Sequence, residues 1–247
     1  MMQNRANHFD TIADEFNGLW QMTPDYRNWM SETIVSVLDL RSDECFVDLG
    51  GGTGSYTRLI AKKADLQSPA LCVEPSKKML SQIEESDHLK PVHADALSFC
   101  TSEIRYDKIL LKEMIHFVEE RKALFQGIKR QLCENGRVLI VTRPKNTPLP
   151  FFTAALERFA QGQPSVESLE KELEDAGLRP FSRTEEFSFG ISKERWYGML
   201  RNRFMSNLQN FTDEEIEEGI VQLEKTFEAQ TIIAFRDRII FICGEPL

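Results

Sequence analysis

Apolar residues recur along this chain in two periods, and the change of period marks its organisation. The first forty residues read as helices. Thr23-Pro24 predicts a helix start, the hydroxyl serving as cap and the proline at the first helical position, with Ile34, Val35, Leu38 and then Leu40 following on roughly one face. After that, short apolar runs alternate with segments long enough for helices. Strands are expected at Cys45–Leu49, Ala70–Val73, Pro91–His93, Lys108–Leu111 and Arg137–Val141, and helices at segments such as Ser76–Glu85 and Lys122–Leu132. Strand, helix, strand at this rhythm implies right-handed crossovers and a mostly parallel sheet.

Beyond Val141 the order changes. Phe151–Gln161 and Ser165–Ala176 read as helices, and Glu186–Ile191 as a strand. Trp196, Leu200, Phe204, Leu208 and Phe211 share one helical face, and Ile216, Ile220, Leu223 and Phe227 another. The second helix is opened by the capping box Thr212-x-x-Glu215. Ile239–Cys243 is the last apolar strand. These two helices lie between the last two strands, so they are expected to cap the sheet as an insertion. The expectation is one domain over 1–247: N-terminal helices over 1–40, a core over 41–145 and a C-terminal half over 146–247, with the cap at about 193–230.

One glycine-rich stretch carries the chemistry. Phe46-Val47-Asp48-Leu49 runs into Gly50-Gly51-Gly52-Thr53-Gly54 and then a helical pattern. Glycines let a chain turn tightly and bring its amides against a ligand. A P-loop would need a Gly-Lys-Ser/Thr end, and a dinucleotide fingerprint would need G-x-G-x-x-G; both registers fail here. Asp48 beside the loop repels a pyrophosphate and welcomes an ammonium or sulfonium group. Glu74 ends the second strand, twenty residues past Gly54, where a carboxylate accepts hydrogen bonds from two ribose hydroxyls. Asp95 ends the third strand, within reach of an adenine amino group. Open α/β sheets bind ligands at such strand ends.

With these residues in place, the chain resembles the class I S-adenosylmethionine-dependent methyltransferases. VDLGGGTG is similar to the family's D-x-G-x-G-x-G motif, VEPSKKML to its ribose-binding segment and HADAL to its adenine-binding one. YDKILLKEMIHFVEE resembles the fourth-strand segment of small-molecule members, and FDTIADEF the helix often found ahead of the first motif. The resemblance implies a doubly wound, mostly parallel seven-stranded α/β sheet of the Rossmann-like methyltransferase type, with N-terminal helices and a helical cap between the last two strands. It implies S-adenosylmethionine as cofactor and S-adenosylhomocysteine as product. Asp48, Gly50, Gly52 and Gly54 would hold the methionine end, Glu74 the ribose, and Asp95 with Ala96 the adenine. Ser76 and Met79 would lie against the adenine ring, Phe9 belongs to the leading helix, and Lys112 would contribute chiefly backbone near the sulfonium.

Transfer from a sulfonium is an in-line displacement that needs a base only when the nucleophile is protonated. His116, following the fourth strand, is the best acid/base candidate; Glu113 is a weaker one, since an acid in that position is usually solvated. The acceptor pocket is expected between the first helices and the cap, where aromatics are dense. Its candidate residues are Trp20, Tyr26, Trp196 and Tyr197, with Arg143 and Arg201 to grip an anionic group. Asp237, between Arg236 and Arg238, is expected to make a local ion pair.

Charge narrows the acceptor. Thirty Lys and Arg stand against thirty-nine Asp and Glu, a net charge of -9. That argues against nucleic acid or an anionic membrane as partner and for a small-molecule acceptor. The alternatives are a protein, peptide or RNA methyltransferase, or an inactive cofactor-binding partner protein. The five cysteines (45, 72, 100, 133 and 243) show no ligand spacing, so no metal site is expected, and a reducing, cytoplasmic setting fits.

Overall fold

A computed structural model describes residues 23–83 and 88–247. Phe9, Trp20 and the leading FDTIADEF segment lie outside the described residues. The described chain begins with α1 (Pro24–Leu38), whose Thr23 hydroxyl accepts the Tyr26 amide at 3.3 Å with proline behind the cap. Then follow β1 (Phe46–Leu49), α2 (Ser55–Lys63), β2 (Ala70–Glu74), α3 (Lys77–Leu80), β3 (Leu89–His93), α4 (Ala96–Phe99) and β4 (Tyr106–Lys112). A 3-10 turn, Ile115–Phe117, leads to α5 (Arg121–Gln131) and β5 (Leu132–Thr142). The C-terminal half holds α6 (Thr153–Gly162), α7 (Val166–Asp175), β6 (Leu178–Ser192), α8 (Lys193–Arg201), a 3-10 turn at Ser206–Leu208, α9 (Asp213–Thr226) and β7 (Ile232–Pro246).

The seven strands form one sheet in the order β3-β2-β1-β4-β5-β7-β6, parallel except for β7. Helices on both faces explain why the central strands are apolar throughout rather than alternating. Val47, Leu49, Ile109 and Leu111 face α5, packing with Leu124, Phe125 and Ile128. Phe46, Leu110 and Leu139 face the other way, onto Ile34 and Leu38 of α1 and Ile60 of α2. Burying each such side chain stabilises the fold by about 1.5–3 kcal/mol, so α1 is part of the core.

The last two strands are longer than their apolar runs suggest. β6 and β7 pair antiparallel from Leu178↔Pro246 to Ser192↔Ile232, fifteen residues each. β6 is the edge strand, and its middle is exposed and charged. Glu186 there meets Arg238 of β7 at 3.0 Å, so the ladder continues where hydrophobicity does not. Charge along an edge also discourages pairing with another chain.

The insertion between β6 and β7 is helical as expected, but the first face is not one helix. α8 stops at Arg201, Arg203 adopts a left-handed φ of 48°, and Phe204, Leu208 and Phe211 come from turns. They still meet Trp196 and Leu200 in a separate cap core with Phe151, Phe152 and Ile220. α9 opens with the expected capping box. Gly219 lets it lie against the Phe152 ring, with which an added Cβ would collide. No helix among the described residues is long and apolar enough to cross a membrane.

Candidate functional site

β1 ends in a loop that folds over β2. The amides of Gly50 and Gly51 donate to the Val73 carbonyl at 2.8 and 3.1 Å, and Gly50, Gly52 and Gly54 take φ values of 77°, 58° and 70°. Gly51 is required for a different reason. A Cβ there would lie 2.5 Å from the Cys72 sulfur and 3.2 Å from the Asp48 carboxylate. Asp48, buried beneath the loop, accepts a 2.6 Å hydrogen bond from the Thr57 hydroxyl of α2. Burial pushes its carboxyl up to about 6, against the opposing pull of Thr57 and the Lys112 charge.

Glu74 ends β2 and reaches back to the loop. Its Oε2 accepts the Gly52 amide at 3.1 Å and its Oε1 the Ser76 amide at 2.9 Å. Two backbone donors on separate oxygens fix the plane of the carboxylate. Ser76 caps α3 by accepting the amide of Met79, whose side chain is buried. Asp95 follows β3 and caps α4, where Ala96 is the first residue. It accepts the Ser98 amide at 3.0 Å and the Ser98 hydroxyl at 2.6 Å. Burial tends to raise this carboxyl, but the Ser98 hydroxyl and the local amides prevail and hold it below the usual range. Strands β1, β2 and β3 thus deliver Asp48, Glu74 and Asp95 to one end of the sheet.

The ends of β4 and β5 carry a second constellation, and here several expectations change. Arg143 does not present an open guanidinium. It is buried, with Nε and Nη2 bonded to the two oxygens of Asp237 at 2.9 and 2.7 Å. Tyr26 joins them, donating to Asp237 at 3.1 Å and accepting from Arg143 at 3.3 Å. Tyr26 and Arg143 are therefore tied to protein groups rather than aimed at an acceptor. Asp237 pairs across 94 residues instead of with its flanking arginines. Glu113 is not a solvated loop residue either. Its φ of 55° turns it back, and Oε1 sits 3.0 Å from Nη1 of Arg143. Lys112 lies with its ammonium 4.2 Å above the Tyr56 ring, so its side chain as well as its backbone belongs to this region. His116 lies in the 3-10 turn, its ring 4.0 Å from that of Phe117.

The cap candidates are core. Trp196 is 1% exposed and donates its indole N–H to the Pro150 carbonyl at 2.8 Å, and Tyr197 is buried beside it. Arg201 is exposed and bidentate to Glu217 at 2.6 and 2.9 Å on the cap surface. A cavity of about 150 Å³ does lie between the start of α1 and the cap, lined by Thr23, Phe189, Ile191, Trp196, Met199 and Phe235.

Comparison with known proteins finds methyltransferases. Residues 47–140, β1 through most of β5, match the model of a methyltransferase domain. Phosphoethanolamine N-methyltransferase 1 of Triticum aestivum is 26% identical over 198 residues, 76% of this chain and 39% of that protein. The chain thus spans about two fifths of the length of that curated relative. A Haemonchus contortus phosphoethanolamine N-methyltransferase 2, solved with phosphomonomethylethanolamine and S-adenosylhomocysteine, superposes with a TM-score of 0.61. That match has 15% identity and covers all of this chain and 59% of that one. A protein of Anabaena variabilis described as a methyltransferase of an antibiotic biosynthesis pathway gives a TM-score of 0.65 at 16% identity, covering 86% and 95%. At these identities the likeness to solved structures speaks for the fold.

Proposed function

We propose that this chain is a class I S-adenosylmethionine-dependent methyltransferase, that it moves a methyl group from S-adenosylmethionine to a small molecule, and that the acceptor atom is an amine nitrogen. The observation that carries this reading is Glu74. Its carboxylate is locked by the Gly52 and Ser76 amides at the end of β2, beside a loop in which Gly50, Gly52 and Gly54 take left-handed φ and Gly51 has no room for a Cβ. The donor set fits the cofactor: carboxylates for hydroxyl and amino groups at three successive strand ends, and no cation in the glycine loop to hold a phosphate.

In this reading Glu74 receives the two ribose hydroxyls and Met79 borders the adenine. Asp95 and Ala96 hold the adenine edge at the start of α4. Asp48, with Gly50, Gly52 and Gly54, positions the methionine end. Bound S-adenosylmethionine supplies a methyl already activated on a sulfonium, so the protein's task is alignment and exclusion of water. The acceptor enters at the ends of β4 and β5, where His116 and Glu113 border it. An amine is favoured by the phosphoethanolamine N-methyltransferases among the relatives and by the excess of acids at this end of the sheet. The net charge of -9 disfavours RNA.

The test uses S-adenosylmethionine carrying a labelled methyl, the purified protein, and either phosphoethanolamine or a size-fractionated extract of its source. Label in the low-mass fraction supports the proposal, and mass spectrometry of that product names the acceptor. Label in protein or RNA would overturn the substrate class while leaving the fold intact.

A further inference from the structure

β4 carries two lysines turned into the fold, Lys108 buried and Lys112 half-buried, and their surroundings differ. Lys108 is 2% exposed, and its ammonium lies 3.3 Å from the Glu44 carboxylate and 3.4 Å from the Asn135 carbonyl. Lys112, at the strand's carboxyl end, has no carboxylate within ion-pair distance among the described residues, and its ammonium rests on the Tyr56 ring. The groups around it come from five elements. They are Asp48 of β1, Tyr56 of α2, Glu113 just past β4, Arg143 at the end of β5 and Asp237 of β7. Each of these acids is engaged elsewhere. Asp48 holds the Thr57 hydroxyl, Asp237 holds Arg143 and Tyr26, and Glu113 faces Arg143. Burial keeps the Tyr56 phenol neutral, pushed up to about 12, so it offers only its π face.

We infer that Lys112 is the proton acceptor of the transfer, its amine facing the methyl donor on one side and the acceptor on the other. This rests on the methyltransferase reading above. The acceptor's N–H proton moves to the Lys112 nitrogen, and the lone pair so freed forms the new bond to the methyl carbon. The carbon–sulfur bond breaks, its electrons stay on sulfur, and the sulfonium becomes a thioether. Lys112 later returns the proton to water, and the Tyr56 ring supports the ammonium meanwhile. Burial, with the Arg143 charge alongside, outweighs the neighbouring acids and holds Lys112 below the ordinary lysine value, which a base working near neutral pH requires.

Charge and turnover can be read together. Affinities for S-adenosylmethionine and S-adenosylhomocysteine are measured by calorimetry from pH 6 to 10 in the wild type, Lys112→Met, Lys112→Arg and His116→Asn, alongside competitive acylation of the lysines read by mass spectrometry. A protonated Lys112 opposes the sulfonium but not the thioether. The wild-type preference for S-adenosylmethionine should therefore weaken as pH falls through the Lys112 titration. Lys112→Met should abolish that slope, and Lys112→Arg should be weak at every pH. With phosphoethanolamine as acceptor, Lys112→Met should lose about 10²-fold or more in kcat near pH 7, the usual scale for a lost general base. That loss should shrink at high pH, where the amine deprotonates itself. The inference is overturned if Lys112 acylates as an ordinary surface lysine, if Lys112→Met keeps the slope, or if the slope vanishes in His116→Asn instead. Failure of either compound to bind the wild type would overturn the methyltransferase reading itself, a result distinct from all of these.

Discussion

Arg143 and Asp237, 94 residues apart, form a bidentate ion pair in which neither side chain is more than 3% exposed. The pair joins the end of β5 to β7, and through the Tyr26 hydroxyl it fastens α1 to both. Removing Asp237 leaves the Arg143 guanidinium buried with, among the described residues, only the Glu113 carboxylate against it, and breaking a buried pair in this way costs about 3–5 kcal/mol. Asp237→Ala should therefore lower the denaturant midpoint by more than any single surface substitution. Replacing both groups with apolar ones of similar volume should cost less than Asp237→Ala alone. Equal loss in the single and double variants would show that the pair is not the source.

Asp48 makes stability depend on pH. Its carboxyl is raised from 3.8 to about 6 in the folded protein, so between those values the folded state binds more protons than the unfolded. Stability contributed by the protonated form is complete below about 4 and is lost as pH rises through about 6. The loss at neutral pH is on the order of 1–3 kcal/mol. Asp48→Asn, which still accepts from Thr57, should unfold at higher denaturant than the wild type at pH 7.5 and lack this dependence. It should also bind cofactor less well. Chemical denaturation across pH 4–8 checks the first point and calorimetry the second.

Gly51→Ala tests the crowding under the loop. The added methyl would meet the Cys72 sulfur at 2.5 Å, and overpacking of this kind costs about 1–3 kcal/mol. Thermal unfolding should fall in Gly51→Ala and recover in part when Cys72→Ala makes room. Failure of the second change to help would locate the strain in the backbone instead.

In the cap, Gly219→Ala would drive a methyl into the Phe152 ring. α9 should then separate from the cap core while the sheet stays folded. Hydrogen exchange should speed up in α8 and α9 and stay slow in β1, β4 and β5. Uniformly faster exchange would mean that cap and sheet unfold as one unit.

Much of this molecule is legible locally. The Thr23-Pro24 start and the Thr212–Glu215 capping box are short-range chemistry, and both occur where the sequence places them. The apolar strands β1, β2 and β4 are bounded by turn residues and buried on both faces, so pattern alone finds them. β6 and β7 extend beyond their apolar runs because an edge ladder needs backbone pairing but tolerates charge. Asp237 looks like one more residue in an Arg-Asp-Arg run, since its partner is distant in sequence. Ser76–Glu85 reads as a helix of ten, but the described helix covers only Lys77–Leu80, held at its start by the Ser76 cap. Lys112 reads as a strand terminus, and nothing local shows that the acids around it are already engaged.

If Glu74 receives the ribose of S-adenosylmethionine, calorimetric titration of S-adenosylhomocysteine into the wild type and Glu74→Ala will register its loss. A charged group that loses its hydrogen-bonded partner costs about 1.5–3 kcal/mol, or roughly ten- to hundredfold in affinity. One site per chain is expected in the wild type and a loss of that size in Glu74→Ala, with the unfolding transition still cooperative. Unchanged affinity in a folded Glu74→Ala would mean that the ribose binds elsewhere.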